Sequence, residues 1–218
     1  SGAKLLVSED ALLMHFDIKR VLLDLDVRVI NLSDIDISDS PRFTSCTAVN
    51  DDTPAFMLYT SGSTGKPKGV MSTHGVTAYM TQIQMAEWEF PTDVRMLMAT
   101  PLSHAAAAFF IPVLQKGGAF YVMQGFSPDE VFDMVEKHRI TCTMLVPVML
   151  YYLLDAPRAA TADMSSMETI FYGASPMNPA RLRQGIEQWG PVFYQFFGQS
   201  EAPMVVANLR RADHDLSK

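Results

Sequence analysis

Short apolar runs alternate with longer helical patterns along most of this 218-residue chain, and few folds accommodate that rhythm. The runs read "AKLLVS", "VRVINL", "AFMLYT", "VRMLMAT", "GAFYVM", "CTMLVP", "ETIFYG" and "VFYQFF". Most are apolar on consecutive residues, which predicts strands buried on both faces. The fold class expected is α/β, with largely parallel sheets flanked by helices. Between the runs, Ser127, Pro128 and Glu130 predict a helix start with a capping box, and His138 and Arg139 suit its negative end. Asn178 and Pro179 open another helix, which runs to about Trp189, where Gly190 and Pro191 stop it.

Residues 33–54, "SDIDISDSPRFTSCTAVNDDTP", are rich in Asp, Ser, Thr and Pro and read as a surface connection. The expected organisation is therefore a small N-terminal βα portion with an acidic connecting loop over 1–53, followed by the main body over 54–218. With 48% hydrophobic and 19% charged residues, the chain can bury a large core. A net charge of −7 argues against a protein that coats nucleic acid, because phosphate contacts need a basic face. Only two cysteines, Cys46 and Cys142, are present and neither sits in a CxxC pair, so a reduced chain without structural zinc is expected. No stretch approaches the ~20 apolar residues of a membrane span, and the opening "SGAKLLVSED" lacks signal-peptide character. A soluble, cytoplasmic location is the expectation.

One segment stands out against this background. "YTSGSTGKPKG", residues 59–69, follows an apolar run directly and concentrates glycines, small hydroxyl residues and two lysines. A Gly-rich turn lets backbone N–H groups approach phosphate oxygens closely, hydroxyls add donors, and lysines add charge. A flexible glycine turn without a ligand is the plainer alternative. The loop is not a Walker P-loop: counting from Gly62, the second Gly position holds Pro67, and Pro67 also follows Lys66 where Ser or Thr is required.

The segment resembles the phosphate-binding signature of the adenylate-forming superfamily, which contains acyl-CoA synthetases, the adenylation domains of peptide synthetases, and luciferases. Three further motifs, in the family's order, resemble the same group. "PLSHAAAAFF" is similar to the motif whose His or aromatic residue lines the acyl pocket, a place that His104 would hold; taken alone, it also reads as a helix-start histidine. "FYGASPMNP" looks like the loop that covers one face of adenine, with Gly173, Ala174, Ser175 and Pro176 presenting backbone to the base. "YQFFGQSEAP" resembles the motif usually written Tyr-Gly-x-Thr-Glu, with Phe197 in place of the Tyr and Ser200 in place of the Thr.

The resemblance covers essentially the whole chain and looks most like bacterial fatty-acid or aryl-acid CoA ligases. It implies part of the family's large N-terminal domain, with residues 54–218 as the AMP-binding core. The site it implies can be stated residue by residue. Thr60, Ser61, Gly62, Ser63, Thr64, Gly65, Lys66 and Lys68 would hold the β- and γ-phosphates. Phe197 would stack on adenine, Gln195 would lie near its exocyclic amine, with Gly198 beside them. Ser200 would fix the α-phosphate, and Glu201, with Thr60, would bind Mg²⁺. Lys68, His104, Ser200 and Glu201 would be the catalytic set. Stacking survives loss of a phenol oxygen and serine keeps the hydroxyl donor, so both departures leave the chemistry available. The substrates implied are a carboxylic acid, foremost a fatty acid, with ATP and either CoA or a carrier-protein thiol. Met80, Met85, Phe109, Phe110, Met144, Met149, Tyr151 and Tyr152 are candidates for the acyl-pocket wall, although methionines are equally core gap-fillers.

Other family motifs, including a ribose-binding aspartate and a C-terminal domain with an adenylation lysine, lie outside these residues. A central fragment, unable to complete the two-step reaction by itself, is the expectation. Two rivals stay open. Gly198, Ser200 and Ala202 nearly spell the GxSxG elbow of α/β hydrolases, with His214 downstream. A noncatalytic nucleotide- or partner-binding module is the other.

Overall fold

The computed structural model describes residues 4–9, 11–12, 27–36, 48–60, 65–103 and 105–215. It divides into two compact units, residues 1–48 and 49–218. In the first, β1 (Leu5–Ser8) lies parallel to β2 (Arg28–Asn31), with Leu5 opposite Arg28. The second unit begins a few residues before the expected boundary because residues 50–53 are tied to the first helix. His74 N–H donates to the Thr53 carbonyl at 2.9 Å and Gly75 N–H to that of Asp51 at 3.0 Å.

The second unit opens with a two-stranded antiparallel ribbon, β3 (Pro54–Thr60) and β4 (Lys68–Thr73). Burial on both faces was expected for β3 from its apolar run. Instead Phe56, Met57, Leu58 and Tyr59 are between 41% and 55% exposed. The reason is architectural: among the described residues β3 pairs only with β4, in a two-stranded ribbon outside the main sheet. The ribbon feeds α1 (His74–Glu87), whose N-cap Thr73 accepts a hydrogen bond from Val76 N–H at 3.3 Å through its hydroxyl.

The body of the unit is a six-stranded sheet in the order β10-β9-β8-β7-β5-β6. Its strands are β5 (Arg95–Met98), β6 (Ala119–Val122), β7 (Cys142–Leu145), β8 (Thr169–Tyr172), β9 (Phe193–Gln199) and β10 (Ala202–Leu209). All neighbours are parallel except β9 and β10, which form an antiparallel pair. The largely parallel α/β fold read from the sequence is therefore present. The intervening helices are α2 (Phe110–Gln115), α3 (Pro128–His138), α4 (Pro147–Asp155) and α5 (Pro179–Trp189).

Strand alternation sorts the core into two layers. On one face Met96, Met98, Cys142, Met144, Phe171, Tyr194 and Phe196 pack with Trp88, Phe109 and Val113. On the other, Leu97, Leu145, Ile170, Tyr172 and Phe193 pack with residues of α3, α4 and α5 such as Phe132, Leu150 and Ile186. The first layer is aromatic at its centre: Phe171 lies 4.9 Å from Phe90, 5.3 Å from Trp88 and Phe109, and 5.4 Å from Tyr194, between ring centroids. Cys142 belongs to this layer, where burial pushes its thiol up to about 12, so it is a core side chain and not a nucleophile.

Helix ends follow the sequence with one exception. Asn178 caps α5 by accepting from Ala180 N–H at 2.9 Å, Pro179 takes the first helical position, and Gly190 ends the helix at φ 83°. The capping box expected of Ser127 and Glu130 does not form; Ser127 makes no side-chain cap bond. There Pro128 lacks an N–H, and the Ser127 carbonyl accepts from Val131 N–H at 3.0 Å, which suffices to start α3. Arg139 closes that helix in the left-handed region at φ 51°.

Candidate active site

Chain order and spatial order disagree at one place in the sheet. From β5 the chain goes outward to β6, then returns past β5 to β7, β8 and β9. Loops at the carboxyl ends of strands on the two sides of such a reversal diverge and leave a crevice, which is where open α/β sheets hold ligands. Of the motifs singled out from the sequence, residues 173–176 follow β8 directly, and 197–201 comprise the last residues of β9 and the turn after it; β8 and β9 are hydrogen-bonded neighbours on the β7 side of the reversal.

The 173–178 loop is fixed at both ends and exposed in the middle. Gly173 is buried against β9: a Cβ there would sit 2.4 Å from the Phe196 carbonyl oxygen, so only glycine permits the approach. Ala174 follows at φ 67°, a left-handed conformation that turns the chain sharply away from the strand. Ala174, Ser175 and Pro176 are exposed, Met177 packs into the second core layer, and Asn178 starts α5. A strand that ends in a close contact, followed by a left-handed turn, leaves three consecutive residues exposed. That suits contact with a flat ring.

The second element is the turn between β9 and β10. Gln199 pairs with Ala202, placing Ser200 and Glu201 at the tip, and pairing resumes only at Ala207 opposite Phe197. In between, Met204 adopts φ 62° and its backbone nitrogen lies 2.0 Å from where a Cβ on Gly198 would stand. The bulge thus folds onto Gly198 and leaves Phe197 57% exposed, with Gln195 half-buried and Glu201 open to solvent. Because the atom in the way is backbone, Gly198→Ala is expected to destabilise the unit by about 1–3 kcal/mol, read as a lower urea midpoint. An unchanged midpoint would mean that the bulge moves freely and does not shape the turn.

The ribbon carries the phosphate-loop residues. Thr60 pairs with Lys68 across its end, and its hydroxyl donates to the Lys68 carbonyl at 3.5 Å. Gly65 turns at φ 81°, and Lys66 and Lys68 are exposed. Ser61, Gly62, Ser63, Thr64 and His104 lie outside the described residues. The cation question is one of fit. No cluster of three or more His, Cys, Asp or Glu side chains exists among the described residues, and Glu201 offers one accessible carboxylate. Mg²⁺ suits such a site, since it is commonly held by one or two carboxylates together with substrate phosphates.

Two sequence readings are corrected. The proposed acyl-pocket wall does not assemble as one surface. Phe109 and Met144 lie in the first core layer, whereas Met149 packs against the second, and Tyr151 and Tyr152 share its helix α4. Strand alternation assigns Met144 to its layer and the side on which α4 packs assigns Met149, and composition alone carries neither. The GxSxG elbow is not built either: Ser200 sits in a hairpin turn between antiparallel strands, not in a strand-to-helix turn. His214 is engaged elsewhere, its Nε2 3.0 Å from the Tyr172 hydroxyl and its Nδ1 2.8 Å from the Arg210 carbonyl. A carbonyl only accepts, so Nδ1 donates, and in the neutral ring Nε2 accepts from Tyr172. Burial pushes the Tyr172 phenol above its ordinary range, which keeps that proton in place.

Tyr151, read from the sequence as an acyl-wall candidate, and Arg181, which no motif marks, make contacts with the end of the 173–178 loop and with each other. Asn178 N–H donates to the Tyr151 hydroxyl at 2.8 Å, and the Arg181 guanidinium donates to the Tyr151 carbonyl at 2.9 Å. Their signal was absent because the contacts join residues 27 and 30 apart in different βα units.

Comparison with known proteins adds an independent line. The whole chain, residues 1–218, matches the family described as AMP-binding enzyme. It is 57% identical over 159 residues to a medium/long-chain-fatty-acid–CoA ligase, FadD8, of Mycobacterium tuberculosis, covering 73% of this chain and 28% of that protein. It is 39% identical over 163 residues to a feruloyl-CoA synthase of an Amycolatopsis species, covering 74% of this chain and 33% of that one. Among solved structures, the amide bond synthetase McbA of Marinactinospora thermotolerans superposes with a TM-score of 0.84 at 28% identity, over 96% of this chain and 43% of its own. The chain therefore spans about a third of the length of the curated relatives it matches.

Proposed function

This chain belongs to the AMP-binding enzyme family, and from that premise we propose that its parent protein activates a carboxylic acid with ATP and passes the acyl group to coenzyme A. The observation that carries the reading is the pair of loops at neighbouring strand ends. One, at 173–176, is exposed at Ala174, Ser175 and Pro176, and the other, at 197–201, carries an exposed aromatic ring, a hydroxyl and an exposed carboxylate. An adenine ring between Phe197 and the 173–176 backbone would set its α-phosphate toward Ser200 and Glu201.

The chemistry needs little covalent help from protein. A carboxylate oxygen attacks the α-phosphorus, the bond from that phosphorus to the bridging oxygen breaks, and pyrophosphate leaves with the electron pair. The thiolate of CoA then attacks the acyl carbon and AMP departs. Negative charge gathers on phosphate oxygens in the first step, so orientation and preorganised positive charge lower the barrier. Lys66 and Lys68 would hold the departing phosphates, together with Thr60 and the remainder of the loop, and Ser200 would donate to the α-phosphate. Mg²⁺, held by Glu201 and Thr60, would neutralise charge shared between the phosphates. His104 would border the acyl group.

We take the acid to be a fatty acid, a choice supported by identity to a fatty-acid CoA ligase. The feruloyl-CoA synthase similarity makes aryl acids the comparison set. The test is acid-dependent exchange of labelled pyrophosphate into ATP by the full-length protein, with fatty acids of graded length beside cinnamate-type acids. CoA and a carrier-protein thiol are then offered as acceptors. Exchange that rises with one class of fatty acid, followed by acyl-CoA formation, is the expected result. Absence of exchange with every acid would overturn the reading.

A further inference from the structure

We propose that Tyr151 and Arg181 are positioning residues that hold the 173–178 loop in its base-facing shape, so that they set nucleotide affinity and base selectivity without touching the nucleotide. The proposal rests on the functional reading above, in which this loop covers one face of adenine.

The loop is attached at its start and at its end by contacts of different kinds, and between them Met177 packs into the second core layer. At its start, Gly173 is wedged against the Phe196 carbonyl, a steric contact built into the sheet. At its end the attachment is polar and comes from α4. The backbone N–H of Asn178 donates to the Tyr151 hydroxyl at 2.8 Å, while the Asn178 side chain turns the other way to cap α5. Asn178 thus serves two masters: its side chain starts the helix and its backbone is held by another helix.

Arg181, one turn into α5, fixes Tyr151 in return. Its guanidinium donates to the Tyr151 carbonyl at 2.9 Å, pairs with Asp155 at 2.7 Å and lies 5.3 Å from the centre of the Tyr151 ring. Planar donors and stacking on an aromatic face are properties of arginine that lysine does not reproduce. The three residues form a closed circuit between the start of α5 and α4. Between this circuit and the Gly173 wedge lie Ala174, Ser175 and Pro176, exposed, with the left-handed turn at Ala174 on one side and Met177, packed into the second core layer, on the other. Losing the polar end of the span would let those residues drift while the strand end stays put. A displaced backbone meets the base less well, and the penalty falls on binding before it falls on chemistry.

The experiment uses the full-length protein with Tyr151→Phe, which keeps the ring and removes only the hydroxyl, and Arg181→Lys, which keeps the charge. Dissociation constants for ATP and GTP are measured by calorimetry, and KM for ATP and kcat by pyrophosphate exchange. A lost neutral hydrogen bond is worth about a two- to tenfold change in binding. Tyr151→Phe is expected to raise the ATP dissociation constant and KM by about fivefold, to narrow the ATP-over-GTP preference by a similar factor, and to leave kcat within about twofold. Arg181→Lys is expected to move the same quantities in the same direction, and the double variant to show less than the sum of the two in free energy, as members of one circuit do. Unchanged ATP affinity and base preference in Tyr151→Phe, with only thermal stability reduced, would overturn the proposal and leave the circuit a packing feature. A wild-type protein that binds ATP without exchange activity would overturn the acid-activation reading, yet its ATP and GTP constants would still decide the clamp. A wild-type protein that binds neither nucleotide would overturn both.

Discussion

Glu201→Gln in the full-length protein is expected to lower acid-dependent pyrophosphate exchange by about 10²–10³-fold, the usual cost of removing one preorganised electrostatic group. Glu201 sits at the tip of the β9–β10 turn and is exposed, so the substitution meets no packing constraint. Surface changes of this kind alter stability by less than about 0.5 kcal/mol, and the thermal midpoint should barely move. Loss of activity would therefore report on the ligand and not on the fold. Glutamine keeps the shape and an acceptor oxygen but carries no charge, so the apparent requirement for Mg²⁺ should shift to higher concentration. Exchange that persists at near wild-type rate and unchanged Mg²⁺ dependence would remove Glu201 from the site.

The second large effect concerns stability. Phe171→Ala is expected to destabilise the second unit by about 3–5 kcal/mol, measured by chemical denaturation. Phe171 has no exposed surface and lies in the aromatic layer with Trp88, Phe90, Phe109 and Tyr194 around it. Truncation would remove both transfer free energy and several ring contacts, and the surrounding sheet offers little room to collapse. Such a loss approaches the whole margin of an ordinary domain, about 5–15 kcal/mol. Phe171→Leu, which keeps much of the volume, should retain a folded protein with a smaller loss. A loss below about 1 kcal/mol for alanine would show that the layer repacks, contrary to the density of contacts around this ring.

The sheet was legible where strands are buried on both sides. "CTMLVP" and "ETIFYG" become β7 and β8, buried at every position, because a parallel strand between helical layers needs apolar residues on consecutive places. β4 and β10 were missed for the opposite reason. β4, "KGVMST", begins with Lys and Gly, and β10 contains Pro203 and is partly exposed along most of its length. Their pairing comes from the adjoining strand, not from their own pattern. β3 shows the converse error, since an apolar run says that contact is wanted and does not say whether a neighbouring layer provides it.

The candidate site residues were picked out as contiguous motifs, each lying at or beside the end of a strand. What joins the loops was not. The link from Tyr151 to Asn178 crosses from one βα unit to the next, and neither residue type announces it. Tyr151 was instead grouped with candidates for the acyl wall on grounds of size and apolarity, properties shared by any core residue. Met149 and Met144, also in that group, proved to face opposite layers.

The alternation of the strands has a consequence for how this molecule can vary through descent. Loss or gain of one residue at the start of β8 would reverse the parity of the rest of that strand, sending Phe171 toward α3, α4 and α5 and Tyr172 toward the aromatic layer. Both layers would fail together. A change of the same size in an exposed turn beyond the strand end disturbs neither. Heritable length changes are thus filtered by position: the interior of the sheet admits them only in pairs, whereas exposed turns that make no close backbone contact admit them singly, without rebuilding what lies beneath.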